Sequence, residues 1–548
     1  MKMLLFEIRV LVIGLVFAAC LPVHAAEINA ADGYETAVKA AIALAQPGDT
    51  VRIPAGTWGW TNGQVNFSGI TVAGQGTNVT VLVDRLPGSG NFAGFFLITP
   101  STNTFTRLTG ITFGDDGRGI MSFKGKVLVD GRAYYAAAPW RIDHCSFQYL
   151  NGNNIFPYGN NGLIDHCAFY LRAEAISQYG LSINPGNPWN IDDPMNDPWG
   201  DFPYSRVKPP GYGVTNALYI ESCYFTNQLA QGAPAVYDGY AGAVSVFRNN
   251  YLINCGWYNH GNDTSGRYRS CRQWEIYNNT FISEQNWVTA MDFRGGTGLV
   301  FSNNVSGYKL FNTIENYRNV QPNSFGGVDG TNQWDSIDPV PRWTGTNTAV
   351  GTKVICPGAN WTPHQWAGFT ISAPTAGSAA IGHGAGTVTF CLIQDNTSDT
   401  LNMIQPKDFQ ILFNVGDIFK IYFVNAALDQ VGRGSGSLIH DVRSGSYPNW
   451  INSTWNMDTL ASTWPNQDLS PLYSWGNTMN GSSSGVSSPY PNIKEGRDIY
   501  FNTSKPNYTP LAFPHPVVVV QDGAGGGTVT NPPPPVLTPP TGLRAFIP

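Results

Sequence analysis

Charge is scarce in this 548-residue chain, where Asp, Glu, Lys and Arg together make up 12% of the residues. Long helices and coiled coils are built from Ala, Leu, Glu and Lys, and so little charge argues against them. Long apolar runs are equally few: beyond the N-terminus, no stretch is long and apolar enough to span a bilayer, so no membrane span is expected. The 8 cysteines include no C-x-x-C pair and no His–Cys cluster at zinc spacing, which argues against the common structural zinc sites. Basic residues are outnumbered, 31 Lys and Arg against 37 Asp and Glu, for a net charge of −6. That balance argues against nucleic acid or an anionic membrane as the main partner. An acidic polysaccharide stays open, because a local basic column can outweigh the total. Present in quantity are Gly, Asn, Ser, Thr and 13% aromatics, a mixture that suits many short strands and turns.

Lys2, Arg9, the apolar run Val10 to Ala19 and the Val23-His24-Ala25 site read as a secretory signal over residues 1–26. A secreted or cell-surface protein is therefore expected. Cys20 offers lipid attachment as an alternative, with Phe17 a poor residue for it. Among the remaining cysteines, Cys145, Cys167 and Cys223 share one repeat position and read as stacked, buried residues. Cys356 with Cys391 is the best disulfide candidate, and Cys255 with Cys271 a second.

A phrase recurs down the first half: W-R-I-D-H-C-S-F from Trp140, L-I-D-H-C-A-F from Leu163, Y-I-E-S-C-Y-F from Tyr219 and V-F-R-N-N-Y-L from Val246. It continues as W-E-I-Y-N-N-T-F from Trp274 and L-V-F-S-N-N-V from Leu299. Taking Cys145, Cys167, Cys223, Asn250, Asn279 and Asn304 as register, most steps are 22 to 29 residues. That period predicts a coil of short stacked strands, with Ile142, Ile164, Ile220, Phe247, Ile276 and Phe301 in one apolar column. Propeller blades, at about 40–45 residues, do not fit. Asn250, Asn279 and Asn304 would form an amide ladder in the turn.

Residues 32–45 carry a helical stripe (Tyr34, Val38, Ala41, Ile42, Ala45) ahead of the coil and suit an N-terminal cap helix. The expected organisation is a signal at 1–26, the capped coil at 27–342, a small inserted β-module at 343–430, a wrapping segment at 431–520 and a Gly/Pro-rich tail at 521–548.

The W-R-I-D-H-C-S-F phrase, the N-N-x-F turns, the signal and the cap helix resemble the right-handed parallel β-helix superfamily of pectate and pectin lyases over residues 30–330. The resemblance implies an all-β, right-handed parallel β-helix that handles polysaccharide. R-x-P-x-x-R is absent, G-D-D (Gly114 to Asp116) and G-H-G (Gly382 to Gly384) lie in different segments, and R-I-K is missing. Neither the pectate lyase nor the polygalacturonase catalytic set carries over.

Counting back 12 residues from Asn250, Asn279 and Asn304 gives Asp238, Arg267 and Asp292. With equal loops these form one outward column, and Arg269 and Arg294 share their face. Asp238 and Asp292, two rungs apart at about 9–10 Å, could serve an inverting glycosidase, whose carboxyls stand about 6.5–9.5 Å apart. Arg267, Arg269 and Arg294 could instead bind uronate carboxylates, with one acting as base for β-elimination, or the column could be an ion-pair ladder that stabilises the sheet. Trp257, Tyr258 and His260 lie just before Arg267, and Trp287 precedes Asp292. Their rings suit sugar stacking, with burial as the alternative. Asp192, Asp193, Asp197 and Asp201 leave calcium open as a cofactor, although their Pro-interrupted spacing matches no calcium loop. His144 and His166 read as turn packing. A lyase or glycoside hydrolase acting on an acidic polysaccharide is the leading function, and a non-catalytic surface or adhesion protein the alternative.

Overall fold

The computed structural model describes residues 25–86, 94–101, 103–117, 125–131, 139–159, 161–172, 175–176, 211–227, 234–239, 242–260, 270–315, 341–372, 390–404, 412–422, 430–433, 469–490 and 493–521. The signal segment, Arg267, Arg269, the Asp192 to Asp201 group and G-H-G lie outside them.

Each recurring phrase folds as two short strands around a bend. The first member of its polar pair takes the left-handed conformation: His144 (φ 49°), His166 (50°), Ser222 (54°), Asn249 (54°) and Asn278 (55°). Asn and His enter that region more readily than most residues, which explains their recurrence. The second member points inward, where Cys145, Cys167 and Cys223 are buried as stacked thiols. From Cys223 onward asparagine takes over. Asn250 Oδ1 accepts the Cys223 N–H at 2.9 Å, and Asn250 Nδ2 donates to the Ile220 carbonyl at 2.9 Å and to Asn279 Oδ1 at 3.0 Å. The same pattern links Asn279 to Asn303 and Asn303 to Asn477, each at 3.0 Å.

Stacking these bends builds a 12-stranded sheet and an 11-stranded sheet. A third face consists of two four-stranded pieces joined by bridges through Ile176. Neighbouring rungs pair in parallel throughout the coil, as in Ile142↔Ile164↔Ile220↔Phe247↔Ile276↔Val300. The chain is a right-handed parallel β-helix, the hand that parallel crossovers take. Phe113, Phe147, Phe169 and Phe225 stack through the second sheet at 5.0, 4.9 and 4.7 Å.

Two positions differ from the sequence register. Val300 and Asn303, not Phe301 and Asn304, continue the inner columns. The S-N-N triplet offers two asparagines, and choosing the wrong one slips the rung by one residue and reverses every face. Phe301 points outward and stacks between Tyr277 (4.5 Å) and Trp475 (4.3 Å).

A helix at Glu35–Leu44 packs against Glu27–Asn29, the terminal strand of the first sheet, and against Thr50–Arg52 and Val65–Phe67. Val38 and Ala41 are buried, whereas Tyr34 stands exposed just before the helix. Glu35 accepts the backbone N–H of Asn62 at 2.8 Å. Strands from 343 to 422 form a separate six-stranded antiparallel sheet. The proposed disulfides do not form: Cys356, Cys255 and Cys271 are free thiols. Cys391 lies in a strand that Thr400–Met403 separates from the strand before Cys356. Two strand spacings, about 9–10 Å, exceed disulfide reach. Cys255 and Cys271 are fully buried in the core, where each sulfur faces a different backbone carbonyl.

The segment after 468 adds rungs in addition to wrapping the coil. Leu472–Trp475 and Ile499–Phe501 extend the first sheet, and Gly476 (φ 62°) with Asn477 repeats the bend and the ladder. Residues 508–518 then cross the outer face of the first sheet. Arg248 pairs with Glu221 at 2.7 Å and donates to the Leu511 carbonyl at 2.6 Å, Tyr508 donates to Glu275 at 2.5 Å, and the His515 N–H donates to Glu221 at 2.9 Å. Burying Arg248, Glu221 and Glu275 without these partners would cost several kcal/mol each.

Asn279→Ala removes both ladder bonds inside the core and should cost about 1–3 kcal/mol per unpaired group, seen as a lower denaturation midpoint. Asn304→Ala, at an exposed site, should stay within about 0.5 kcal/mol of the parent. Burial, followed by the nearby Arg248 charge, pushes the His515 imidazole from 6.5 down to about 4. Below pH 6.5 the unfolded chain therefore binds the proton more readily, and stability should fall progressively towards pH 4. His515→Gln should flatten that part of a melting-temperature profile.

Candidate functional site

On the third face, Ala235–Gly239, Gly256–Asn259, Thr289–Phe293 and Leu310–Ile314 stack in parallel. Alternation sends Tyr237, Trp257 and Met291 into the core and sends the residue after each outward. The outward column is Asp238↔Tyr258↔Asp292↔Thr313. Asp238 and Asp292 share it two rungs apart, with Tyr258 between them in the place expected for Arg267. The equal-loop assumption fails there, because residues 260–272 intervene between the third-face strand and the next first-sheet strand at Gln273. Asp292 falls in line nonetheless: it precedes the true ladder residue, Asn303, by 11 positions, and the one-residue slip cancelled the difference.

Just past the strand ends, His260, Arg294 and Glu315 continue the outward side. His260 Nδ1 bonds Asp238 Oδ1, and Arg294 Nη1 lies 3.1 Å from His260 Nε2. Guanidinium nitrogens only donate, so Nε2 accepts and the neutral ring carries its proton on Nδ1, towards Asp238. Arg294 Nε lies 3.1 Å from Glu315 Oε2 and 4.0 Å from Asp292 Oδ2. Asp292 is fully buried and accepts the Thr313 hydroxyl at 2.7 Å. Asn259, also fully buried, fixes the bend that carries Arg294: its Oδ1 accepts the Arg294 N–H at 2.8 Å, and its Nδ2 donates to the Gly295 carbonyl at 2.9 Å. The side chains of His260 and Arg294 each remain 16% exposed, which leaves this end of the column within reach of a ligand. Tyr258 is half-buried, and its ring lies back over Gly256, where a Cβ would come within 2.7 Å of it.

The other aromatic candidates fall elsewhere. Trp257 is fully buried and stacks on Tyr237 at 5.0 Å, so it serves the core and cannot meet a sugar. Trp287 sits before Thr289, at the opposite end of its strand from Arg294, with its indole on Gln285 at 3.1 Å. Sequence reasoning missed Asn259, Thr313 and Glu315. The alternation T-I-E after Asn312 repeats D-F-R one rung earlier, and it was the available signal.

Two other polar clusters bear on which face is open. His144 and His166 stack at 5.1 Å, each with Nδ1 on the preceding aspartate at 2.7 Å. Burial alone would raise the Asp143 carboxyl, but hydrogen bonds from Arg107 and His144 and the charge of Arg141 hold it well below the usual carboxylate range. The hydrogen bond to Asp165 raises His166 against its burial. Their left-handed backbone and rung-to-rung repetition suit the turn-packing role expected for them. At the later rungs the 508–518 crossing covers the first sheet. No group of three or more His, Cys, Asp or Glu able to hold a metal occurs among the described residues, and no described helix is long and apolar enough to cross a membrane.

No family model matches this chain, and no curated protein matches it. Solved structures do. One is a PL6 family alginate lyase, AlyGC, at 12% identity and TM-score 0.32, covering 54% of this chain and 42% of that one. Another is an alginate lyase from Paenibacillus sp. str. FPU-7, at 14% identity and TM-score 0.30, covering 53% of this chain and 98% of that one. The chain thus matches less than half the length of AlyGC.

Proposed function

We propose that this chain is a secreted protein that binds an acidic polysaccharide along the third face and cleaves it by β-elimination at Asp238, His260 and Arg294. The observation that carries this is the hydrogen-bonded run Asp238–His260–Arg294 at a partly exposed strand end. An imidazole with its Nδ1 proton held by a carboxylate presents an unprotonated Nε2, the form a general base needs. Arg294 holds that lone pair in the absence of ligand. A uronate carboxylate is a better partner for a guanidinium, and by recruiting Arg294 it would free Nε2 beside the sugar.

The chemistry then balances without a redox partner. Arg294 neutralises the carboxylate and so acidifies the adjacent C–H. His260 Nε2 takes that proton, the electron pair forms the C=C bond, the glycosidic C–O bond on the neighbouring carbon breaks, and the leaving oxygen takes a proton from water at the partly exposed strand end. Elimination suits this site better than hydrolysis by Asp238 and Asp292. Asp238 is engaged by His260, and Asp292 is fully buried under Thr313, with no face for the attacking water that an inverting carboxylate must activate. Arg267 and Arg269 remain candidates for further carboxylate subsites. A non-catalytic adhesive solenoid is the second reading. The continuation of the same run to Glu315, 3.1 Å from Arg294 Nε, favours it, because a polar network can serve stability alone.

Purified mature protein should release unsaturated products, seen as ultraviolet absorbance, from one of a panel of uronate polymers, with and without calcium. His260→Ala should lower kcat by about 10²–10⁴-fold with the melting temperature nearly unchanged, and Arg294→Lys should chiefly raise KM. New reducing ends without that absorbance would mean hydrolysis instead. No product under any condition would leave the adhesive reading.

A further inference from the structure

The antiparallel sheet at 343–422 has no part in the proposed elimination, yet it carries a cavity of about 710 Å³, within the range of small-ligand sites. Its lining includes Lys353, His364, Gln394, Asp395, Asn402 and Met403. Strand pairing accounts for their convergence. Lys353 opposes Asn402, and Asn402 opposes Asp395, so one polar row crosses three strands while Val354, Leu401 and Ile393 fill the buried side. The register shifts between Ile393 and Asp395, which makes Gln394 an extra residue that joins the row.

A pinned loop closes the row from one side. His364 sits at φ 67°, a region that residues other than glycine enter at a cost. Its N–H donates to the Asn396 carbonyl at 3.1 Å, and its Nδ1 meets Asp395 Oδ1 at 2.7 Å. The buried Asn396 side chain holds the rest of the loop, accepting the Trp366 N–H at 2.7 Å and donating to the Thr362 carbonyl at 2.9 Å. Lys353 is exposed and forms no ion pair with any described residue. The cavity therefore offers a cation, two amides, a carboxylate already oriented by histidine, and the apolar surface of Ala367.

We propose that this cavity is a second, non-catalytic glycan site that binds a uronate-containing chain. Lys353 would pair with a sugar carboxylate, Asp395, Gln394 and Asn402 would bind hydroxyls, and Ala367 would meet a C–H face. The uronate class is taken over from the function proposed above, whereas the site itself stands on its own geometry. It would hold polymer without taking part in bond cleavage.

The test is affinity electrophoresis of the full chain through gels containing polygalacturonate, alginate or neutral dextran. The His260→Ala background prevents digestion of the gel polymer. Retardation by a uronate polymer but not by dextran should weaken about tenfold or more in Lys353→Gln, the loss of one charged hydrogen bond. Asn402→Ala should weaken it in the same direction. Both variants in the His260 background should melt like their parent, and Lys353→Gln in the otherwise native chain should turn over short soluble oligouronates at the native rate. Retardation unchanged in both variants, or no retardation by either uronate polymer, would overturn the proposal. Retardation weakened in Lys353→Gln with turnover of short oligouronates intact supports it, and absence of turnover in the native chain would count only against the elimination reading.

Discussion

The requirement that every buried bend be hydrogen-bonded by the next rung governs this structure. A bend between two sheets leaves an inward N–H and carbonyl that water cannot reach, and an unpaired buried group costs about 1–3 kcal/mol. Asn250, Asn279, Asn303 and Asn477 meet that demand with one side chain per rung, each amide serving the backbone of the rung before it. Because each member needs the next, the column fixes the register of the coil from Cys223 onward. It also explains why the chain resumes the coil at Leu472 after leaving it at Ile314: Asn477 supplies the partner that Asn303 would otherwise lack.

Fixed register decides what each outer face can do. On the first sheet, Glu221, Arg248 and Glu275 stand in neighbouring rungs and are buried, a state made tolerable by the Arg248–Glu221 pair, by Tyr277 and Gly213, and by the residues of the 508–518 crossing. Charge there is committed to holding the C-terminal segment down. On the third face the same stacking aligns Asp238, Tyr258 and Asp292 and ends in His260 and Arg294, which bond each other and Asp238 and whose tips remain partly exposed. Polar groups bound to one another can exchange partners with a ligand. Groups bound to covering backbone cannot do so without undocking it.

Periodicity makes the fold legible in the amino-acid sequence, because a repeated polar pair and an alternating apolar pattern both follow from one physical unit. It fails wherever the unit is ambiguous or interrupted. Ser302-Asn303-Asn304 offers two equivalent asparagines, and only the pleat decides between them. The loop between His260 and Gln273 breaks the count that puts Arg267 in the column, and Tyr258 holds that position. Trp257 looks like a sugar platform from composition, yet its parity with Tyr237 and Met291 sends it inward. Asn259, Thr313 and Glu315 escape a linear reading because their roles come from neighbours 21 to 35 residues away. The rungs after 468 escape it because Gly476-Asn477 substitutes glycine for the usual first residue of the pair.

The protonation state of His260 tests the central claim most directly. Nitrogen chemical shifts of the His260 imidazole, measured at neutral pH with and without an oligouronate, report which nitrogen carries the proton and whether the other is engaged. The account predicts a neutral ring protonated on Nδ1, with Nε2 accepting from Arg294 in the free protein and a clear shift of Nε2 once the oligouronate binds. A ring protonated on Nε2, or shifts indifferent to a saturating oligouronate, would contradict it.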